Sequence, residues 1–357
     1  MLTYTETITL ELPYPLEKLA SPADCLIFDI ETTGFSASRN MIYLIGALYF
    51  RDEHWHLTRW FANEPSLEME LIKDFFAFAK DYRLLIHFNG TTFDLPFLKK
   101  RADFLGVSGF ESLPASFDLF TSIRPLKKFL KLAQTNLKSL EHFLGIQRKD
   151  SLSGGDLIPI YKSYVTNQEP SLKELLLLHN YDDVIGTVSL LPLLSYLDLQ
   201  NGKFEINSIS LDELDTHCFD LIFSLTLETA LPVPISTALT HGYLIAKEHT
   251  CKIIIHGIKD TLYHFFADYK NYYYLPAEDT AIHKSVSSYV DKEFRIPAKA
   301  ATCYTKKSGY FLPDGSDSLP LFFKSYNEKP SYFEYTPILS ENTDFFVLYL
   351  VKHLKKG

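Results

Sequence analysis

Residues 25–50, CLIFDIETTGFSASRNMIYLIGALYF, decide the fold. Cys25 to Ile30 is a short apolar run bounded by Pro22 and by Thr32-Thr33-Gly34, and Met41 to Phe50 is a longer run rich in Ile, Leu and Tyr. Both read as strands joined as a hairpin. Asp29 and Glu31 stand two positions apart on the first of them, so the pleat sends both carboxylates to one face and Ile30 to the other. Two acids side by side on an apolar strand repel, and one must stay protonated unless a cation lies between them. Hard divalent ions such as Mg²⁺ take oxygen ligands of this kind. A lone D-x-E is far more often a turn cap beside a solvated acid; two more acids downstream, in matching settings, favour the cation.

Composition sets the frame. A chain of 357 residues holds two domains of ordinary size, and 46% hydrophobic with 15% aromatic residues excludes a mainly disordered one. No apolar run approaches a membrane span and the first residues lack a basic start and apolar core, so the expectation is a cytoplasmic chain with no membrane contact. Cys25, Cys218, Cys251 and Cys303 are scattered, which indicates neither a zinc site nor a disulfide framework. With a net charge of −9, the surface as a whole does not attract a polyanion, and nucleic acid must be held locally. The best local candidate is Arg124 to Lys149, where Arg124, Lys127, Lys128, Lys131, Lys138, Arg148 and Lys149 oppose only Glu141; a solvated helix face reads equally well.

Outward from the hairpin, residues 1–20 read as an arm and Glu53 to Phe61 as a third strand. Pro65-Ser66 opens a helix with Leu67, Leu71, Phe75, Phe76 and Phe78 on one side, ending near Asp81. Arg83 to Phe88 is a fourth strand, running through Asn89-Gly90 into a helix that begins near Asp94, at the end of the sheet where α/β folds bind ligands. A helix from Asn136 to Leu144 stops at Gly145. The stretch Asp150 to Asp156 reads as a flexible loop and Pro159 to Tyr164 as a helix. From Ser171 a long apolar helix places His179 and Asp183 four apart, stacked on one face.

Asp29 and Glu31 on a first strand, Asp94 after a strand and turn, and Asp183 on a late helix together resemble the DEDD 3'-5' exonucleases of the ribonuclease H-like fold. More closely, IHFNGTTFDLPFLKKR, LKSLEHFLGIQRKDSLSGGDLIPIYKSY and LLLHNYDDVIGTVSLLPLL resemble the bacterial YprB-type family of predicted 3'-5' exonucleases. The likeness covers roughly residues 20–198. It implies an α/β fold with a ribonuclease H-like mixed five-stranded sheet flanked by helices. It also implies two divalent metal ions, Mg²⁺ or Mn²⁺, held by Asp29, Glu31, Asp94 and Asp183. His179 then serves as the catalytic residue that orients or deprotonates water. Its gap of four to Asp183 is that of the tyrosine-bearing branch; histidine-bearing relatives have five. By the same likeness Thr32 and Asn89 position a terminal nucleotide, and Lys127 and Lys128 are the basic contacts.

The division expected is 1–200, a DEDD exonuclease domain, and 201–357, a smaller α+β domain of unreadable role. There DLIFSLTLET, TALTHGYLIA, CKIIIHGI and TLYHFFA read as four strands, Ala277-Glu278-Asp279 as a helix start, and Thr343 to Lys356 as an apolar helix with a basic tail. The functional expectation is a metal-dependent hydrolase acting on a single-stranded 3' end of DNA or RNA. Its alternatives are a catalytically inactive nucleic-acid-binding or protein-interaction module, and a ribonuclease H-type endonuclease.

Overall fold

The apolar alternation of the first hairpin forms the middle of a mixed sheet. A computed structural model of the chain describes residues 1–150, 152–315 and 319–356. Its first sheet comprises β1 (Leu2–Ile8), β2 (Cys25–Thr32), β3 (Ile42–Arg51), β4 (His54–Phe61), β5 (Leu84–His87) and β6 (Ala115–Asp118), in the order β1-β4-β3-β2-β5-β6. The pairs from β1 to β2 are antiparallel, and β2–β5 and β5–β6 are parallel. The expected five strands fall one short. Residues 2–8, read as an arm, pair with the free edge of β4 from Leu2↔Phe61 to Ile8↔Trp55.

Among the described residues seven α-helices accompany these strands: α1 (Glu68–Ala79), α2 (Asp94–Leu105), α3 (Leu119–Ile123), α4 (Leu137–Phe143), α5 (Gly154–Asn167), α6 (Pro170–Ser189) and α7 (Leu194–Gln200). On one face of the sheet Leu26, Phe28, Ile30 and Ile45 pack with Leu71, Phe75, Phe97 and Leu98 of α1 and α2. On the other, Tyr43 and Phe61 meet Leu157, Tyr161 and Leu176 of α5 and α6, with Tyr43 stacked on Tyr161 at 4.1 Å. Strand alternation therefore sets Asp29 and Glu31 on the α6 side, opposite Phe28 and Ile30. The long helix expected from Ser171 breaks after Ser189, where Pro192 removes a backbone donor and a 3₁₀ turn, Leu191–Leu193, intervenes.

The chain forms two compact units, Met1–Asp198 with Thr229–Val233, and Leu199–Glu228 with Pro234–Gly357. The five-residue excursion has a local cause. Tyr196 Oη donates to Val233 O at 2.6 Å, and Asp198 Oδ2 accepts from Thr229 Oγ1 at 2.9 Å and from Lys18 Nζ at 2.7 Å.

The second unit is built from β7 (Phe204–Glu213), β8 (Cys218–Leu239), β9 (Gly242–Phe265), β10 (Tyr272–Leu275), β11 (Thr280–His283), β12 (Ile296–Pro297), β13 (Tyr304–Pro313), β14 (Tyr332–Tyr335) and α8 (Thr343–Lys356). A five-stranded sheet runs β14-β13-β9-β8-β7, and a three-stranded one β11-β10-β12. The four short strands expected here are two long ones. Pro234 does not end β8 because it lies at an exposed position, and Lys247-Glu248 does not end β9 because Glu248 alone turns to a φ of 50°. The helix expected at Ala277 is a hairpin turn instead, with Asp279 at a φ of 52° accepting from Tyr274 Oη at 2.5 Å. Among the described residues no helix is long and apolar enough to cross a membrane.

One glycine sets how closely α6 lies on the sheet. Gly46 on β3 pairs with Asp29, and a Cβ there would stand 2.0 Å from Asn180 Oδ1 and 3.1 Å from Val184 Cγ2 of α6. Asn180 is fully buried and its amide donates to Asp29 Oδ2 at 3.2 Å, so it cannot swing aside cheaply. Gly46→Ala is expected to cost about 1–3 kcal/mol as overpacking, read as a lower midpoint in thermal or urea unfolding; an unchanged midpoint would show that α6 is not held at this distance.

Candidate active site

Each acid reaches the same hollow by a different local device. Asp29 and Glu31 come from β2 by alternation, Asp94 from the first turn of α2, and His179 and Asp183 from one face of α6. The loop between β5 and α2 is tied down by Asp118 at the end of β6. Its Oδ1 accepts from Asn89 N at 2.9 Å and its Oδ2 from Thr91 N at 3.1 Å, holding Asn89 at a φ of 63°. Asp94 Oδ1 in turn accepts from Ile30 N at 3.3 Å, which draws the start of α2 onto β2.

A cavity of about 270 Å³ results. Asp29, Glu31, Asp94, Asp183, His179, Thr32 and Asn89 all line it, with Phe35, Phe88, Phe93, Leu137 and Ile158 as apolar wall. Lys127, the last residue of the 3₁₀ turn Arg124–Lys127, and Lys128 after it are exposed and lie outside that lining. Glu31, Asp94 and His179 are buried, while the side chain of Asp183 is 22% exposed. His179 Nε2 stands 3.4 Å from Asp183 Oδ2 and 3.7 Å from Glu31 Oε1. Glu31, His179 and Asp183 offer ligand atoms all within 4.8 Å of one another.

These carboxylates carry more negative charge than their surroundings offset. Burial, then Asp183 and Asp94, push Asp29 far above the usual carboxylate range. Burial raises Glu31 to about 8 against the pull of His179, and burial raises Asp94 to about 7 despite two backbone hydrogen bonds. Asp183 alone goes the other way: burial lifts it, but His179 and Arg148 outweigh that and hold it below the ordinary value. For His179 burial pulls downward, and Asp183, Glu31 and Asp150 together lift it to about 9. Glu31 Oε1 is buried without a hydrogen-bond partner. An orphaned carboxylate oxygen amid like charges fits a divalent cation, whose hard oxygen-ligand preference matches this donor set.

Asp150 corrects the sequence reading. The stretch Asp150–Asp156, read as a flexible loop, includes Ser151 outside the described residues; of the rest, Asp150 is buried beside His179 and Gly154 lines the cavity. Asp150 is 8% exposed and its Oδ2 lies 2.6 Å from His179 Nδ1, while α5 already starts at Gly154 behind a Ser153–Asp156 capping box. Asp182 Oδ2 anchors this turn, accepting from Lys149 N at 3.0 Å and Asp150 N at 2.8 Å. Arg148 likewise is no surface contact. Its Nε donates to Glu141 Oε2 at 2.5 Å and its Nη2 forms an ion pair with Asp183 Oδ1 at 2.5 Å. Asn180, Asp118 and Asp150 carried no composition signal; only the position of Asn180, three before Asp183 on the same helical face, was readable.

Residues 26–195 match the family model described as RNase_H superfamily. This stretch has a ribonuclease H-like fold. YprB of Bacillus subtilis (strain 168), an uncharacterized protein, is 30% identical over 167 residues, which span 46% of this chain and 40% of that relative. Among solved structures, the family B DNA polymerase from the hyperthermophilic archaeon Pyrobaculum calidifontis matches over 69% of this chain and 35% of its own, at 16% identity and a TM-score of 0.40. E. coli Exonuclease I in complex with a dT13 oligonucleotide matches over 57% and 54%, at 9% identity and a TM-score of 0.34.

The raised carboxyl groups give the ribonuclease H-like domain a signed pH dependence. A group whose folded pKa exceeds its unfolded one contributes stability below the unfolded value and loses it as pH rises through the folded value. For Glu31 that window runs from about 4.5 to about 8. Metal-free Glu31→Gln is therefore expected to melt a few degrees above wild type at pH 8 and close to wild type at pH 5. Differential scanning fluorimetry in EDTA reads this, and an equal offset at both pH values would refute the assignment.

Proposed function

We propose that the ribonuclease H-like domain is a metal-dependent 3'-5' exonuclease acting on single-stranded ends of DNA or RNA through two divalent ions, Mg²⁺ or Mn²⁺. The supporting observation is the meeting of Asp29, Glu31, Asp94 and Asp183 in one cavity with the buried Glu31 Oε1 left unpartnered. When bound between these carboxylates, divalent ions supply an activated water and offset charge on the departing oxygen of a phosphodiester. A protein-interaction module of this fold gains nothing from four carboxylates in one hollow, since their mutual repulsion is a cost without a cation.

The chain's own side chains do the rest. The four acids hold the cations and set where the scissile phosphate rests. His179 orients the water from Nε2, the nitrogen that faces Glu31 and Asp183, and would take its proton only with cations bound to offset those acids, which otherwise keep the ring protonated; Asp150 on Nδ1 fixes the ring. Thr32 and Asn89, which both line the cavity, position the terminal nucleotide. Phe35, Phe88 and Phe93 exclude water beside them. Lys127 and Lys128, outside the cavity, meet phosphates farther along the strand.

Incubation with 5'-labelled single-stranded and duplex DNA and RNA, in Mn²⁺, Mg²⁺ or EDTA, tests this. Stepwise shortening from the 3' end that needs metal is expected, and Asp29→Ala lowers its rate by roughly three orders of magnitude, the loss of several kcal/mol. Internal cuts would replace the proposal with an endonuclease, and binding without cleavage would end it. In the same assay Asp150→Asn is expected to lower kcat about 10- to 100-fold with KM little altered; wild-type kcat in that variant would remove Asp150 from the mechanism.

A further inference from the structure

Arg148 stands outside the cavity lining, yet among the described residues it is the guanidinium paired with an acid of that lining. Its side chain is 9% exposed and is caught between two carboxylates, Glu141 Oε2 on α4 and Asp183 Oδ1 on α6, both at 2.5 Å. The backbone is built to bring these three together. A Cβ on Gly186, three residues beyond Asp183 on α6, would lie 2.2 Å from Glu141 Oε1, so α6 is bare where Glu141 must approach. The two residues after Arg148 are then pinned to Asp182 through their amides.

We infer that Arg148, braced by Glu141, is a positioning residue for Asp183. It occupies Oδ1 and thereby turns Oδ2 toward His179 and the other acids, as a single-oxygen ligand for the cation site. Among the described residues Asp183 is the acid of the cavity that has a guanidinium partner, so its orientation is fixed before any cation arrives. Burial, rather than a full set of bonds, keeps this guanidinium from a substrate phosphate: its side chain is 9% exposed and its Nη1 has no hydrogen-bond partner. The inference rests on the reading of the cavity as a divalent-cation site.

Mn²⁺ titration by calorimetry of the full chain, alongside steady-state kinetics, tests it. Arg148→Met is expected to weaken Mn²⁺ binding about 10- to 100-fold and Glu141→Gln to weaken it less. The double variant should bind no worse than Arg148→Met, because both act along one path. Arg148→Lys keeps the charge but loses the planar fork, so it should not rescue binding. In each variant kcat falls while KM for an oligonucleotide stays within about twofold. Should Arg148→Met not fold, Arg148→Lys and Glu141→Gln carry the same comparison. Unchanged or tighter Mn²⁺ binding in the variants, full rescue by lysine, additive single effects, or a KM rise at constant kcat would each overturn the inference. A wild-type chain that takes up no Mn²⁺ overturns the parent reading and this one together, whereas binding that ignores Arg148 overturns this one alone.

Discussion

Repulsion among carboxylates confined in one hollow is the constraint the first unit is organised around. Asp29, Glu31 and Asp94 sit where burial and mutual proximity oppose their charge, and a fold that depended on its own stability alone would replace them with apolar residues. Everything adjacent is arranged to hold the charges in place. Asn180 grips Asp29, the Ile30 amide grips Asp94, Asp150 grips His179 and Arg148 grips Asp183. Glu31 is the exception: its Oε1 is buried with no hydrogen-bond partner, and His179 Nε2 stands near it, at 3.7 Å.

The hydrophobic layers make this tolerable. Phe28 and Ile30 share β2 with the acids but turn into the α1 and α2 side, where Phe75 and Phe97 seal them. The apolar contact that anchors α5 and α6 is displaced along the sheet to Tyr43, Phe61 and Tyr161. Polar and apolar business are thus separated on the two faces of one strand and along the length of one helix, so that strain in the acid cluster is carried by packing elsewhere.

The parts legible in the sequence were those set by local periodicity. The acid pair of β2, the strand-turn-helix around Asp94, and the four-residue spacing of His179 and Asp183 all follow from pleat or helical turn, and the structure brings those side chains into one cavity. What escaped depends on contacts between distant segments. Residues 2–8 alternate Thr with other residues, but that they pair as β1 rather than lead in as an arm depends on the open edge of β4. Arg148 looked like one basic residue in a row of seven until α4 and α6 enclosed it, and Asp150 sat in a Gly- and Ser-rich stretch that suggested mobility. In the second unit, Pro234 and Lys247-Glu248 looked like strand ends, because whether a strand survives such residues depends on its neighbours rather than its own letters.

The alternation along β2 has one more outcome. Phe28 and Asp29 are immediate neighbours facing opposite ways, and the pairing Asp29↔Gly46 fixes which way each goes. Sliding β2 by a single residue against β3 would drive both acids into the Phe75 side and expel Phe28 toward α6. Misaligned pairings of the hairpin are therefore penalised on both faces at once, and the same side chains that could hold cations also proofread the assembly of the sheet that carries them.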